Sequence, residues 1–182
     1  MSWRVGAACL AIAACIGLGG CGEKTANATP DVASAELHKP TQVLKDFEMT
    51  DSKDSVRTMT LRSIEGRIYE AQNVADVDQP FVLFYTQGVV SSRIKAPVGR
   101  VQMDTHEVEM WGGVTVVSSD SSTLTTERLR YDPKKRKIFS KDAVHLEKTD
   151  SITDGIGLET DPELKSVKIG RQKVRFKKGT PA

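Results

Sequence analysis

Apolar and polar residues alternate in short blocks along most of this chain, and the period of that alternation is two. The stretch from Glu109 to Asp132, "EMWGGVTVVSSDSSTLTTERLRYD", reads as a strand, a polar turn and a second strand ending at Asp132-Pro133. Other blocks follow the same form: "TMTLRSIEGRIYE" with its phase broken near Gly66, "SRIKAPVGRVQM", "KIFSKDAVHLE", "SITDGIGLETD", "LKSVKIG" and "QKVRFKKG". "QPFVLFYTQG" is a continuous apolar run whose proline marks a strand start. Turn signals separate the blocks at short intervals, and no long segment keeps helical apolar spacing. "DPELKSV" offers one helical turn, with Asp161 as its cap and Pro162 at the first position. The pattern predicts an all-β domain.

A weak internal repeat refines this. Leu61, Ile94, Leu124 and Ile152 each open a two-strand unit, at spacings of 33, 30 and 28 residues. A period near 30 with two strands per unit predicts stacked antiparallel layers with one long apolar interior, because alternate side chains of a strand point to opposite faces. An ordinary β-sandwich with similar strands is the alternative.

The first 40 residues break the pattern. "MSWR" followed by "VGAACLAIAACIGLGG" has the form of a secretory signal, too short for a comfortable membrane span of about 20 apolar residues. "LGGC" has the form of a bacterial lipobox, with cleavage before Cys21 and a diacylglyceryl group on its thiol. "IAAC", ending at Cys15, fits locally, but cleavage there would leave "IGLGG" at the mature N-terminus. Cys21 is therefore the expected lipid anchor, and Cys9 and Cys15 leave with the signal. The organisation is a signal peptide over residues 1–20, a flexible tether over 21–40 rich in Ala, Thr, Asn and Pro, and a β-domain over 41–178.

Charge and candidate chemistry narrow the function class. Lys and Arg total 26 against 24 Asp and Glu, and aromatics are 5%, so neither a nucleic-acid footprint nor a base-stacking platform is present. His38, His106 and His145 stand far apart with no ligand spacing around them, and no metal site is expected. "GIGLET" lacks the third glycine of a dinucleotide fingerprint and reads as a bend where backbones approach closely. No phosphate loop or nucleophile elbow is present, so neither an enzyme nor a cofactor is expected. "KKRK" at Lys134–Lys137 reads as a solvated hairpin tip. The C-terminal run places seven basic residues between Lys165 and Lys178 with no acidic one, interleaved with Val167, Ile169, Val174 and Phe176. It reads as a lysine-guarded edge strand or as a docking edge.

"LRSIEGRIYE", "VEMWGGVTVVSSDSSTLTTERLRYD", "KIFSKDAVHLE" and "ITDGIGLETDPELKSVKI" together resemble the LptC family, the bitopic periplasmic component of lipopolysaccharide export. The order "G-V-x-V … L-T-T-E-x-L-x-Y-D … V-x-L … G-x-G-L" carries the resemblance, which covers roughly Thr58 to Val174. The resemblance implies a twisted, open β-jellyroll that receives lipopolysaccharide from an inner-membrane ABC transporter complex of the LptB, LptF and LptG kind. It then passes the lipid to a soluble, periplasmic LptA-like jellyroll stacked at the C-terminal edge. The lipid-facing candidates are Leu61, Leu83, Ile94, Met110, Val114, Val116, Leu124, Leu129, Tyr131, Val144, Leu146, Ile156 and Leu158, and the docking candidates are Lys173, Val174, Arg175 and Phe176. Acyl chains need no catalytic group, since each methylene removed from water is favourable by about 0.8 kcal/mol. The family usually keeps an uncleaved transmembrane helix, whereas this N-terminus has a lipoprotein form. The expectation is a periplasmic domain anchored to the inner membrane, with outer-membrane sorting as the alternative. A second reading is an anchored β-scaffold that docks another jellyroll by edge pairing without holding lipid.

Overall fold

The structure, a computed structural model, describes residues 39–177. The signal, Cys21 and most of the tether lie outside the described residues. The rest is one antiparallel sheet of twelve strands: β1 (Gln42–Lys53), β2 (Val56–Tyr69), β3 (Val74–Asp78), β4 (Phe81–Thr86), β5 (Val89–Lys95), β6 (Val98–Gln102), β7 (Val108–Ser118), β8 (Thr123–Asp132), β9 (Lys137–Glu147), β10 (Ser151–Thr160), β11 (Val167–Ile169) and β12 (Lys173–Phe176). One 3₁₀ turn, Glu70–Gln72, joins β2 to β3. The all-β domain expected from the alternation, and the jellyroll that the resemblance implies, are what the chain forms.

The topology is simpler than twelve strands suggest. β3 and β4 pair with β2 in one continuous register, Val74 opposite Tyr69 and Phe84 opposite Met59. They are one long strand interrupted at Gln79-Pro80. β5 and β6 likewise pair with β4 and β3 as one strand interrupted at Ala96-Pro97. Proline cannot donate to a ladder, so "QPF" and "APV" end one strand and start the next. What results is a meander of long bent strands, each paired with its neighbours in chain order.

The bends line up. Asp46, which falls opposite Ile64, has φ 51°, and Gln79, which also falls opposite Ile64, has φ 51°. Gln79 N–H donates to Pro97 O at 2.7 Å. Gly112 and Gly113 follow in β7 with φ 85° and 94°, where the register against β8 slips by one. The slips continue in β8 between Thr126 and Arg130 and in β10 between Ile156 and Leu158, next to Gly157. A paired glycine at positive φ is the cheapest way to turn a central strand without losing its neighbours. Stacked side by side, these irregularities make one crease running across the strands.

The crease folds the sheet into two facing layers. The first holds β4, β5, β12 and the halves of β1, β2 and β7 to β10 nearest to them; the second holds β3, β6, β11 and the remaining halves. Phe84 in the first layer meets Tyr131 in the second edge to face, with ring centroids 4.7 Å apart. Nearer the crease, Thr126 and Ser140 hydroxyls hydrogen-bond at 3.0 Å across the gap. Inner-face residues of both layers join in a single hydrophobic core.

Candidate functional site

The interior between the layers is built from cross-strand rows. In the first layer Met49, Leu61, Val82, Ile94, Val116, Leu124, Leu146, Thr153 and Val174 are register partners in succession, from β1 to β12. Three of the four residues that open the sequence repeat, Leu61, Ile94 and Leu124, stand on this one row. Ile152 falls one place from it, next to Thr153. In the second layer the matching row is Ile68, Ala75, Val101, Val108, Tyr131, Ile138, Thr160 and Val167. Each pair along a row puts side chains within packing distance, so a row, apolar except at Thr153 in the first layer and Thr160 in the second, is a rail at right angles to the strands.

The structure brings most of the sequence-derived candidates into this interior. Leu61, Ile94, Met110, Val116, Leu124 and Leu129 are fully buried there, and Val114, Tyr131, Val144, Leu146 and Leu158 nearly so. Burial pushes the Tyr131 hydroxyl up to about 12. Leu83 stands on the opposite face, half-buried, because its neighbours Val82 and Phe84 take the interior. Ile156 is 47% exposed, since the bulge before Leu158 reverses the alternation of β10. Interior residues that were not singled out include Met59, Phe84, Val82 and Leu164 and, on the second-layer row, Ala75, Val101, Val108 and Ile138, all buried. Met59 sits in the same β2 alternation as Leu61 and was legible in the sequence, whereas Val82 and Phe84 lie in a continuous apolar run whose phase only the β2 and β5 registers fix.

Opposite the crease is the mouth, where the hairpin tips of the two layers meet. The innermost row of the first-layer lip begins apolar, with Met59 and Phe84, and continues as Ser92 and Ser118. Ser92 Oγ is buried without a hydrogen-bond partner among the described residues. The loop Asp161–Ser166 closes the mouth at this point. Glu163 Oε1 accepts from Thr86 Oγ1 at 2.8 Å and from Ser91 Oγ at 3.4 Å on the first layer, and from Arg136 at 3.4 Å on the second. The expected helical turn at "DPELKSV" is instead an irregular loop. Asp161 does cap it, its carboxylate accepting from the N–H groups of Lys165 at 2.9 Å and Ser166 at 2.6 Å. Farther along the mouth, His106 Nδ1 lies 3.6 Å from Asp51 Oδ1.

The outer faces carry ion pairs. Arg67 grips Asp78 through two hydrogen bonds, at 2.6 and 2.8 Å, which hold the Asp78 carboxyl below its ordinary value and raise the guanidinium. Arg100 pairs with Asp76, and Arg128 with Glu109. Among the described residues no cluster of His, Cys, Asp or Glu could hold a metal ion, and no helix is long and apolar enough to cross a membrane.

The docking candidates Lys173, Val174, Arg175 and Phe176 are β12, all exposed, with Phe176 at 80%. β12 pairs with the first half of β10 and with nothing beyond it. Arg175 reaches Asp154 Oδ2 at 2.6 Å, and His145 Nδ1 lies 2.6 Å from the other oxygen of the same carboxylate. The sheet's other free edge is β1, where Val43 and Leu44 are exposed.

No curated protein matches the chain. A solved structure similar to it is LptH, the LptA homologous periplasmic component of the lipopolysaccharide transport device of Pseudomonas aeruginosa. The two share 13% identity over 80% of this chain and 99% of that one, with a TM-score of 0.48. The match to a family is broader. Residues 8–175 of the 182 fit the family described as lipopolysaccharide-assembly, LptC-related. The bent jellyroll with its lengthwise apolar interior therefore has a role in lipopolysaccharide transport, and the chain belongs to the LptC family.

Proposed function

We propose that this protein is a lipid-anchored carrier that holds lipopolysaccharide by its acyl chains between the two layers. It takes the lipid from an inner-membrane ABC transporter and relays it to a soluble LptA-like jellyroll. The observation that carries this reading is the first-layer row, with Met49 near one free edge, Val174 at the other and apolar side chains at every position between except Thr153. A lipid chain moving along that rail exchanges one set of methylene contacts for an equivalent set. The free energy along the path is therefore level, and transfer needs no chemistry. Directional drive comes from ATP hydrolysis in the transporter, in keeping with the lack of any nucleotide motif in this sequence. Cys21 provides the tether, and residues 21–40 the reach, from an inner-membrane anchor.

The test compares neighbouring positions on opposite faces of β8. A photo-crosslinking amino acid replaces Leu124, which is interior, or Thr125, which is exposed, in the full chain within cells exporting lipopolysaccharide. Crosslinks to lipopolysaccharide from Leu124 and none from Thr125 are expected. Absence from both, with the jellyroll folded, favours the second reading, an anchored scaffold that pairs through β12 without lipid. The exposed apolar and basic side chains of that strand support that second reading.

A further inference from the structure

Leu164 occupies an unusual place for a loop residue. It is fully buried, it belongs to the main core, and its backbone has φ 57°, a left-handed conformation that a branched, bulky side chain rarely adopts. Its neighbour Glu163 bridges the two lips of the mouth with its side chain only 15% exposed. Lys148 Nζ donates to Leu164 O at 3.3 Å. Within the span of two residues, then, an aliphatic side chain fills the interior at the mouth while an adjacent carboxylate and carbonyl engage Arg136 and Lys148.

That arrangement has the shape of an amphiphile. We propose that the Asp161–Ser166 loop is a built-in occupant of the lipid portal. Leu164 stands where an acyl chain enters, and Glu163 stands where the anionic head group binds. The proposal rests on the carrier reading above and adds where the lipid enters and which groups meet its head. When the loop swings out, Leu164 leaves the core and its left-handed backbone is relieved. Arg136 and Lys148 are freed for phosphate, and Thr86 and Ser91 for sugar or ester oxygens. Ser92 Oγ, buried on the same lip and unpartnered in the closed form, gains access to a partner. The incoming lipid replaces each contact that the loop gives up, so exchange is near balance in either direction, which suits a relay better than a permanently open groove. The Asp161 cap over Lys165 and Ser166 keeps the loop a compact unit that can move as one body.

The experiment uses the full chain in phosphatidylethanolamine–phosphatidylglycerol vesicles with rough lipopolysaccharide as the probe. In the wild-type protein, hydrogen exchange at Leu164–Ser166 should accelerate when lipopolysaccharide is added, while β8 and β9 stay protected. With the crosslinker at Leu124, Glu163→Gln removes the competing carboxylate but keeps its shape. It should lower the half-saturating lipopolysaccharide concentration about 3- to 10-fold, and Leu164→Gly should act in the same direction even where it lowers the melting temperature. Arg136→Gln also loosens the loop but should raise the half-saturating concentration, because it removes a head-group partner. Crosslinking at Leu124 with unchanged loop exchange and an unmoved Glu163→Gln titration overturns the portal while leaving the carrier standing. Folded protein that crosslinks in no variant overturns both.

Discussion

At Gly155 in β10, a methyl group would come 2.3 Å from Ile169 Cγ2 and 2.9 Å from Gly170 O, so only a residue without Cβ lets the β11–β12 segment cross this end of the sheet. Gly155→Ala should therefore cost about 1–3 kcal/mol by overpacking, visible as a lowered melting temperature with an unchanged far-ultraviolet β-signature. An unaffected melting temperature would mean that the segment sits farther from β10 in solution. Tyr131 is buried between the two layers, against Phe84. Its ordinary value of 10.0 rises to about 12 because burial disfavours the phenolate. A folded value above the unfolded one means that the stabilisation is whole below pH 10 and drains away as pH rises from 10 to about 12. The slope integrates to about 3 kcal/mol, and Tyr131→Phe should remove it, leaving a flatter decline in denaturant midpoint over that window. Equal slopes in the two proteins would place the hydroxyl in water.

Among the elements, β12 is the one held by charge more than by burial. Arg175 pairs with Asp154, and Lys177 with Glu147 at 2.7 Å. The Asp154 carboxyl is held below its ordinary 3.8, first by its hydrogen bond with His145 and then by Arg175; Glu147 is held below 4.5 by Lys177. Depressed carboxyl values mean that these attachments are complete above the ordinary values and are lost as pH falls below them. At about pH 3, amide exchange in β12, corrected for its intrinsic rate, should accelerate relative to β5, where no such pair holds the strand. Uniform behaviour of the two strands would show that the pairs contribute nothing, as many exposed pairs do. Pro80 was legible as a strand start and the glycines of β10 as a bend, because their backbones forbid or permit specific conformations, whereas Pro97 and the glycines of β7 were read within unbroken blocks. Their alignment into one crease was not legible, since it depends on registers between strands far apart in sequence. The continuous run "FVLFY" gives no phase, so Leu83 could be assigned to either face until its β2 and β5 partners were known. Leu164 lay in a polar turn, and nothing local marks a loop residue as core.

Among the described residues, the sheet leaves two unpaired edges, β1 at one end and the β11–β12 side at the other, with the interior rows running between them. Different surfaces at the two ends permit head-to-tail stacking, in which the rail of one jellyroll continues into the next. A backbone edge is an aggregation hazard unless guarded, and β12 presents basic Lys173 and Arg175 there beside exposed Val174 and Phe176. Deleting residues 171–182 separates docking from folding. β12 forms four register pairs with β10 and buries little, so the deletion should cost about 1–2 kcal/mol and leave a cooperative unfolding transition. Binding to an LptA-like jellyroll, followed by native mass spectrometry of the mixed proteins, should fall at least about tenfold, a loss of roughly 1.4 kcal/mol. Lipopolysaccharide crosslinking at Leu124 should survive the deletion, because the row from Met49 to Leu146 stays intact without β12. If partner binding survives as well, the handover edge lies elsewhere, and β1 becomes the strand to change next. If crosslinking is lost with binding, lipid loading depends on the partner being docked, and capture and relay are one step.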